Sequence, residues 1–475
     1  MTIVDDLAVG LPEGSVTTRA VEGILYAHDA SEFEGRVGAV CFPESTEHVQ
    51  HIVRTCARHG VPFVARGSGT GLAGGATPLD GAVVIVLTRM NRVIDVDPIN
   101  RLAWVEPGVL NLDASRAVAG LEPRFGLHFA PDPSSQQSCT VGGNVANNSG
   151  GPHCLAEGVT SAHVLACDVV LSDGEVVRLG AEGQHESGID LRGAFVGSEG
   201  MFGIATRICI RLTQNPPAVR TMLIDFSSVR DGADTVGAII AAGIVPAALE
   251  MMDRLCLEAV EAYIHAGLPT DAAAALLVEV TGLRHQVGAE ADQIAEIARS
   301  HGARSVRVAA DEAERALLWK GRKTAFGAIA RIKPNYYLHD TVVPRRALPE
   351  VLDRVYEIAQ RHELLVLNVF HAGDGNLHPL LVFDRREPGV MDRVHAAGEE
   401  IVRASIAAGG VLSGEHGIGL EKRDFMPLMF SDDDLAAQMA LRHAFDPSGL
   451  ANPGKVIPSP AACGDVHAVP EGAWI

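Results

Sequence analysis

Two histidines flank a short polar turn in the segment HAGDGNLH, which runs from His371 to His378. Apolar runs precede and follow it, so the pattern predicts a β-hairpin with Asp374 and Gly375 at its tip. In that register His371 would lie directly opposite His378, with Cβ atoms about 4.5–5.5 Å apart. Two imidazoles at this separation can bind one divalent metal ion. The alternative is a cross-strand histidine pair on a solvated face.

A second chemically active segment is SGEHGIG, in which Glu415 and His416 stand between glycines. Three protein ligands and an open position characterise a catalytic metal centre. His371, His378 and Glu415 therefore form a candidate ligand set for a divalent metal, with zinc or manganese expected. His416 would then be available as a general base, because imidazole titrates near neutral pH. A plain polar loop is the alternative interpretation of this segment.

Three separated glycine-rich segments could hold an extended anionic ligand. They are RGSGTGLAGGA at 66–76, TVGGNVANNSGG at 140–151 and GSEGMFGI at 197–204. The first contains G-x-G-x-x-G, but it leads into a strand rather than a helix, which argues against a Rossmann fold. Backbone amides in a strand–loop–strand cradle can still bind a phosphate, and asparagines suit the polar edge of a heterocycle. A glycine-rich surface turn is the alternative.

In this order the three segments resemble the FAD-binding domain of the vanillyl-alcohol oxidase, or PCMH-type, flavoproteins. Together with HAGDGNLH and SGEHGIG, they are similar to the FAD-linked 2-hydroxy-acid dehydrogenases, the group that includes the glycolate oxidase flavoprotein subunit and D-lactate dehydrogenase. The resemblance covers the chain from about residue 35 to residue 457. It implies oxidation of a small 2-hydroxy acid, such as glycolate or D-lactate, with hydride transfer from C2 to flavin N5 and proton transfer to His416.

The resemblance also implies which residues contact FAD. They lie in the glycine-rich segments and near the end of the chain: Arg66, Gly67, Ser68, Gly69, Thr70, Gly71, Leu72, Pro131, Ser138, Thr140, Gly142, Gly143, Asn144, Asn148, Gly150, Glu199, Gly203, Ile204 and Asn452. Some relatives bind FAD covalently through a histidine of the first loop, where this chain has no histidine between Ser68 and Gly71. Non-covalent FAD is therefore expected.

Substrate recognition is implied by three further positions. Arg322 follows Trp319 by three residues, as does the arginine that binds the substrate carboxylate in the family. Leu338 and Leu380 stand where the 2-hydroxyglutarate-type enzymes carry a lysine and an asparagine. Because both polar groups would contact a second carboxylate, a monocarboxylic substrate is expected. A D-2-hydroxyglutarate-type dehydrogenase is the alternative.

Composition narrows the classes of partner. The 475 residues are 47% hydrophobic and 21% charged, which is typical of a folded globular protein. Acidic residues number 59 and basic residues 39, so the net charge of −20 disfavours nucleic acid and anionic lipid. The eight cysteines form no CxxC pair, which argues against a disulfide framework and an iron–sulfur cluster. We expect a cytoplasmic protein without a membrane span, peripheral to a membrane only through a partner.

The predicted fold is α+β, with a two-subdomain PCMH-type FAD-binding domain and a ferredoxin-like substrate domain. Residues 131–151 are expected to be a long loop, helices are expected over 311–331 and 388–408, and a strand is expected over 335–343. The expected boundaries follow in chain order: an N-terminal arm at 1–34, the FAD-binding domain at 35–214, the substrate domain with the metal site at 218–425, a C-terminal helical segment packing on the FAD domain at 426–458, and a tail at 459–475.

The electron acceptor is not evident from the residues. Without clustered cysteines, electrons must pass to another protein or to a quinone, and the resemblance allows an iron–sulfur partner subunit. A homodimer is one candidate for the oligomeric state. Two other classes of function also remain: a metal hydrolase that uses the histidine cluster without flavin, and a non-catalytic flavoprotein subunit of an electron-transfer complex.

Overall fold

The computed structural model describes residues 2–183 and 188–458, which group into two compact units. Unit 1 comprises the described parts of Met1–Gly150, Gly158–Asn215 and Glu415–Ile475, and unit 2 comprises Gly151–Glu157 and Pro216–Gly414. Two short segments therefore differ from the expected boundaries: 151–157 groups with unit 2, and 415–425 groups with unit 1. The expected tail at 459–475 lies outside the described residues.

Both units combine α-helices with β-strands. The helices are α1 (Ile3–Val9), α2 (Ala20–Ile24), α3 (Thr46–His59), α4 (Asn111–Leu121), α5 (Val141–Asn147), α6 (Cys154–Glu157), α7 (Leu191–Phe195), α8 (Val229–Ala241), α9 (Arg254–Ile264), α10 (Arg284–Ser300), α11 (Glu312–Lys323), α12 (Ala325–Ile329), α13 (Leu348–Arg361), α14 (Val390–Ala407) and α15 (Asp432–Phe445). The strands are β1 (Val16–Thr17), β2 (Val37–Cys41), β3 (Phe63–Arg66), β4 (Ala82–Val86), β5 (Val93–Asp97), β6 (Leu102–Val105), β7 (Leu127–His128), β8 (Val164–Val170), β9 (Val176–Gly180), β10 (Ile204–Arg211), β11 (Thr213–Gln214), β12 (Ala218–Phe226), β13 (Ala248–Asp253), β14 (Ala274–Gly282), β15 (Ala303–Val308), β16 (Asn335–Leu338), β17 (Thr341–Val342), β18 (Leu365–His371), β19 (Asn376–Leu377) and β20 (Pro379–Phe383).

The first sheet of unit 1 has the order β1-β2-β4-β3, and its three long strands are parallel. Helix α3 packs on it through Val49 and Ile52, which recur at helical spacing and are fully buried. Leu7 of α1 lies in the same core. The expected N-terminal arm is thus an integral part of unit 1.

The second sheet of unit 1 is antiparallel, with the order β5-β6-β10-β8-β9. Its core also includes Val141 and Val145 of α5. The prediction of a continuous loop over 131–151 is wrong here, because the Thr140 hydroxyl caps a helical turn by accepting the amide of Gly143. Two buried valines four residues apart then hold that turn against the sheet.

Unit 2 is built on a long sheet whose first four strands have the order β15-β12-β14-β13, which is the ferredoxin-like topology. The sheet continues through β18, and β20 pairs with both β18 and β16. Alternate residues of β12 face two separate cores: Met222 and Ile224 face the one that α8, α10, α13 and α14 cover, and Leu223 faces the one that α9, α11 and α12 cover. The candidate active site lies on the second side.

Two elements of unit 2 are shorter than expected. The expected helix at 311–331 is interrupted at Thr324, where the backbone leaves the helical conformation between α11 and α12. The expected strand at 335–343 is divided into β16 and β17, because β16 pairs with β20 while β17 pairs with β19. Within the described ranges, none of the helices combines the length and apolarity that a membrane crossing requires.

Candidate active site

The two histidines of HAGDGNLH lie side by side in unit 2, with ring centroids 5.1 Å apart and ring planes nearly perpendicular. Their predicted register is wrong: His371 pairs with Asn376 across a four-residue turn, and not with His378. A two-residue type I′ turn would need positive φ at both central residues, and of Asp374 and Gly375 only the glycine has it. Since the shift is two residues, His378 stays on the face of His371 as a diagonal neighbour.

Both imidazoles are buried and held at Nδ1. His371 Nδ1 lies 2.8 Å from Glu250 Oε1, and His378 Nδ1 lies 3.2 Å from the carbonyl oxygen of His339. A carbonyl or carboxylate oxygen accepts, so each Nδ1 donates its hydrogen. Each ring is therefore held in the tautomer whose Nε2 carries the lone pair, which is the arrangement that metal-binding histidines use.

Glu250 connects the histidine pair to an arginine. It lies on β13 directly opposite His371 of β18, so the two side chains meet as a cross-strand pair. The other carboxylate oxygen of Glu250, Oε2, accepts from Arg322 Nε at 2.6 Å. Burial alone would raise the pKa of the Glu250 carboxyl, but the charge of Arg322 and the hydrogen bonds that Arg322 and His371 donate outweigh this effect and bring the pKa below its usual value.

Arg322 is fully buried near the end of α11. Trp319, one turn earlier, fixes the rotation of this helix by donating its indole N–H to Glu279 Oε2 at 2.6 Å. Nη1 of Arg322 has no hydrogen-bond partner among the residues that the structure describes. A buried guanidinium nitrogen in that state is costly, which points to a ligand that it binds.

Asp340 holds the chain just before Glu415. Its buried carboxylate accepts from Asn376 Nδ2 at 2.7 Å, from Ser413 Oγ at 2.6 Å and from the amide of Gly414 at 3.1 Å. The Asp340 carboxylate also lies 3.9 Å from His378 Nδ1. Unit 2 thus fixes the residue that immediately precedes Glu415 along the chain.

Within unit 1, the residues after Glu415 are held by a second buried carboxylate. The amides of Ile418 and Gly419 donate to Glu199 at 2.6 and 2.8 Å, and Asn147 Nδ2 donates to the carbonyl oxygen of His416 at 3.3 Å. Burial raises the pKa of Glu199 to about 7, although these amides lower it. Glu415 and His416 are neighbours, with 3.9 Å between Oε1 and Nε2.

The first glycine segment of unit 1 has the form of a phosphate cradle. A Cβ on Gly67 would lie 2.2 Å from Thr140 Oγ1, and Gly69 has a φ of +72°. Among the described residues, no hydrogen bond is donated by a backbone amide of residues 68–72, so these amides suit an anion. Arg66 is largely buried, and its Nη1 donates to the carbonyl oxygen of His28 at 2.6 Å.

Three of the expected FAD contacts hold neighbouring loops of unit 1 together. Asn144 Oδ1 accepts from Asn111 Nδ2 at 2.9 Å, Asn148 Oδ1 accepts from the amide of Ser161 at 2.8 Å, and Asn452 Nδ2 donates to the carbonyl oxygen of Glu199 at 2.6 Å. The remaining expected contacts occupy the same unit: Ser68, Thr70, Gly71, Leu72, Pro131, Ser138, Thr140, Gly142, Gly143, Gly150, Gly203 and Ile204.

Sequence reasoning missed Glu250, Asp340 and Asn376. Glu250 lies in the buried strand sequence ALEMMD, and an acid flanked by apolar residues was the only local signal. Its partners lie 72 and 121 residues away along the chain. Only the pairing of β13 with β18 identifies them.

Comparison with known proteins supports the family that the glycine-rich segments and the fold indicate. Residues 215–456 match the C-terminal domain of FAD linked oxidases, and residues 37–180 match an FAD binding domain. The chain belongs to the FAD-linked oxidases. This membership confirms the predicted family and makes the protein an FAD-dependent oxidoreductase.

The relatives span nearly the whole chain. The glycolate oxidase subunit GlcD of Escherichia coli strain K12 is 46% identical over 92% of this chain and 87% of its own length. The D-lactate dehydrogenase of Anaerostipes hadrus is 31% identical over 91% of this chain and 92% of its own length. The crystal structure of p-cresol methylhydroxylase with substrate bound superposes with a TM-score of 0.80, at 18% identity over 96% of both chains, which confirms the predicted PCMH-type fold.

Proposed function

We propose that the protein is an FAD-dependent dehydrogenase of a small 2-hydroxy monocarboxylate, such as glycolate or D-lactate. The observation that carries the proposal is the Arg322–Glu250–His371 chain of contacts, which brings a carboxylate-binding group and a metal-binding group to one place in unit 2. The similarity to a glycolate oxidase subunit and to D-lactate dehydrogenases supports the same substrate class.

His371, His378 and Glu415 are the proposed ligands of a divalent metal, zinc or manganese. Two buried imidazoles with Nε2 lone pairs fit such an ion, and Asp340 holds the residue before Glu415. The metal would lower the pKa of the substrate hydroxyl.

Residues of the chain carry out the remaining steps. An imidazole nitrogen of His416 takes the hydroxyl proton, and Nη1 of Arg322 orients the substrate carboxylate by a charge-assisted hydrogen bond. The FAD supplies the acceptor for the C2 hydride. Unit 1 would hold this cofactor non-covalently on the cradle at 66–72 and the segments around Thr140 and Glu199, so that unit 1 is the FAD domain and unit 2 the substrate domain.

Two leucines favour a substrate with one carboxylate. Leu338 of β16 and Leu380 of β20 are directly opposed, Leu380 is fully buried, and both pack in the core next to α11. An unpaired carboxylate placed against them would cost more than the roughly 2–7 kcal/mol typical of a buried, unpaired neutral polar group. We expect a higher kcat/KM for glycolate or D-lactate than for D-2-hydroxyglutarate. The reverse order would remove these leucines as specificity determinants.

The decisive experiment is anaerobic mixing of the FAD-loaded protein with a panel of 2-hydroxy acids while the flavin absorbance is recorded. Bleaching by glycolate or D-lactate, with release of the 2-oxo acid, is the expected result. Absence of bleaching by every member of the panel would contradict the proposal and favour a non-catalytic flavoprotein subunit. Metal analysis of the same sample tests the ligand set separately.

Electrons leave the flavin to another protein or to a quinone in this proposal. The E. coli relative is named as a subunit, which supports a partner chain as acceptor. We further propose a cytoplasmic location, with any membrane association provided by that partner. Co-purification of an iron–sulfur protein that reoxidises the reduced flavin would support this route, and rapid reoxidation by quinone alone would replace it.

A further inference from the structure

We infer that Glu250 is a positioning residue that serves the metal half and the carboxylate half of the site together. The inference rests on the proposed function, since it gives Glu250 its task through His371 and Arg322. Glu250 itself would touch neither metal nor substrate. It acts by fixing the two groups that do.

The position of Glu250 explains how one side chain reaches both groups. It lies on β13, the strand next to β18, and is fully buried. One carboxylate oxygen is 2.8 Å from His371 Nδ1, and the other is 2.6 Å from Arg322 Nε. His371 Nδ1 also lies 3.0 Å from the oxygen that Arg322 contacts, so one carboxylate holds both partners and neither can turn without losing its bond.

The contacts need a carboxylate and not merely a polar side chain. Both partners donate to Glu250, and only a carboxylate presents an acceptor oxygen to each. In Glu250→Gln, one of the two donors would face an amide NH₂ group. If that donor is His371, the ring must adopt the tautomer with hydrogen on Nε2, which cannot bind a metal. If it is Arg322, the guanidinium loses its acceptor; in either orientation it loses its buried counter-charge.

The arrangement also fixes the direction of Arg322. Glu250 Oε2 lies 2.6 Å from both Nε and Nη2 of Arg322, so the planar group can rotate little. Nη1 is then the guanidinium nitrogen with neither a hydrogen bond nor an ion pair among the described residues. A planar cation held on one side presents its other side in a defined direction. Glu250 therefore sets both the tautomer of His371 and the direction in which Nη1 of Arg322 points.

The test compares Glu250→Gln and Glu250→Asp in the FAD-loaded protein. Metal affinity is measured by competition with a chelator, using zinc and manganese, and glycolate KM and kcat are measured at saturating metal. Glu250→Gln should bind metal about 10–100-fold more weakly, which is typical of losing a carboxylate behind a ligating histidine. Its KM should stay raised at saturating metal, because Arg322 is also misdirected.

Glu250→Asp retains the charge and is one methylene shorter, so its metal affinity should lie between those of Glu250→Gln and the unaltered protein. This variant also keeps the test decisive if Glu250→Gln does not fold. Asp225→Asn is the matched control: Asp225 is a buried acid of the same sheet that bonds Ser305 and pairs with Arg304, away from His371. It should leave metal affinity and KM unchanged.

The outcomes separate this inference from the proposed function. If Glu250→Gln and Glu250→Asp both keep the metal affinity and KM of the unaltered protein, Glu250 is only structural and the inference is overturned. If His371→Ala loses metal while both Glu250 variants keep it, the metal site stands and the inference falls. If His371→Ala also keeps full metal, the proposed ligand set itself is wrong.

Discussion

At the scale of single residues, His371 and His416 are assigned different tasks that can be separated. We expect His371→Ala to lose metal and to keep its FAD, because the FAD cradle belongs to unit 1 and His371 to unit 2. We expect His416→Ala to keep both and to reduce its flavin about 10²–10⁴-fold more slowly, the range typical of a lost general base. The measurements are metal content, flavin content and the rate of flavin reduction by substrate.

His416→Gln is the control for this pair, since it retains a polar side chain but no titrating nitrogen. It should be as slow as His416→Ala. Loss of metal in either His416 variant would make His416 a ligand, and the base would have to be a different residue.

Asp253 provides a pH-dependent contribution to stability. Burial raises its pKa to about 6, although it accepts hydrogen bonds from Cys256, Asn368 and Tyr356. The folded state therefore binds this proton more tightly than the unfolded chain. The contribution is fully present below the unfolded pKa of 3.8 and is lost as pH rises through about 6.

The variant Asp253→Asn tests this sign. Asparagine does not titrate, and its one carbonyl oxygen can keep the capping bond from the Cys256 amide at the start of α9. The bonds lost at its amide nitrogen lower the stability by an amount that does not depend on pH. The quantity to compare is the free energy of unfolding of the unaltered protein minus that of Asp253→Asn. This difference should fall by up to about 1.4 kcal/mol per pH unit between pH 4 and pH 6, because a single proton sets that limit. Denaturant titrations across this range measure it. A difference that rises with pH would contradict the direction of the shift.

At the scale of elements, the turn between β18 and β19 positions the histidine pair. Gly375 has a φ of +78°, and a Cβ there would lie 2.2 Å from the carbonyl oxygen of Val343. We expect Gly375→Ala to destabilise the protein by about 1–3 kcal/mol, because both backbone strain and this clash oppose the side chain. It should also weaken metal binding, since the turn joins β18, which carries His371, to β19, which His378 directly follows.

Gly237→Ala is the matched substitution for this experiment. Gly237 lies within α8 of the same unit, and nothing stands within 4 Å of its added Cβ. It should be neutral or stabilising by up to about 1 kcal/mol, with metal binding unchanged. Chemical denaturation and chelator competition on both variants give the comparison. Equal effects of the two substitutions would refute the role assigned to the turn.

At the scale of the whole molecule, FAD binding should be reversible and should stabilise unit 1. The first glycine loop has Thr70 and no histidine between Ser68 and Gly71, so acid precipitation should release all flavin into the supernatant. A ligand at about 1,000 times its Kd stabilises the folded state by about 4 kcal/mol. The flavin-free protein should therefore melt at a lower temperature, and added FAD should restore the original melting curve.

Yellow colour that remains with the acid-precipitated protein would contradict the non-covalent attachment. An unchanged melting curve after flavin removal would contradict the placement of FAD on the loops of unit 1. Riboflavin is a suitable control ligand. It lacks the phosphates that the amides at 68–72 are proposed to bind, so it should restore little of the stability.

The sequence by itself determined the family, the cofactor and the class of fold. Glycine-rich segments and paired histidines are local signals, because the residues of each motif lie close together along the chain. The ferredoxin-like topology was also predictable, since β12, α8 and β13 and then β14, α10 and β15 each show their own hydrophobic period. Helix α5 was missed because it has only seven residues, two of them glycines. A segment of that length shows too few apolar repeats to distinguish a helix from a loop.

Only the tertiary structure decided how the histidines are oriented and what stands behind them. A hairpin register depends on the turn that the surrounding sheet permits, and the contact of Gly375 with Val343 accompanies a four-residue turn in place of the two-residue one. Glu250 meets His371 and Arg322 because β13 lies beside β18 in the sheet. Such pairings join residues that are distant in sequence, so no local pattern records them. The candidate site residues His371, His378 and Arg322 were therefore visible in the sequence, and the carboxylates that contact them were not.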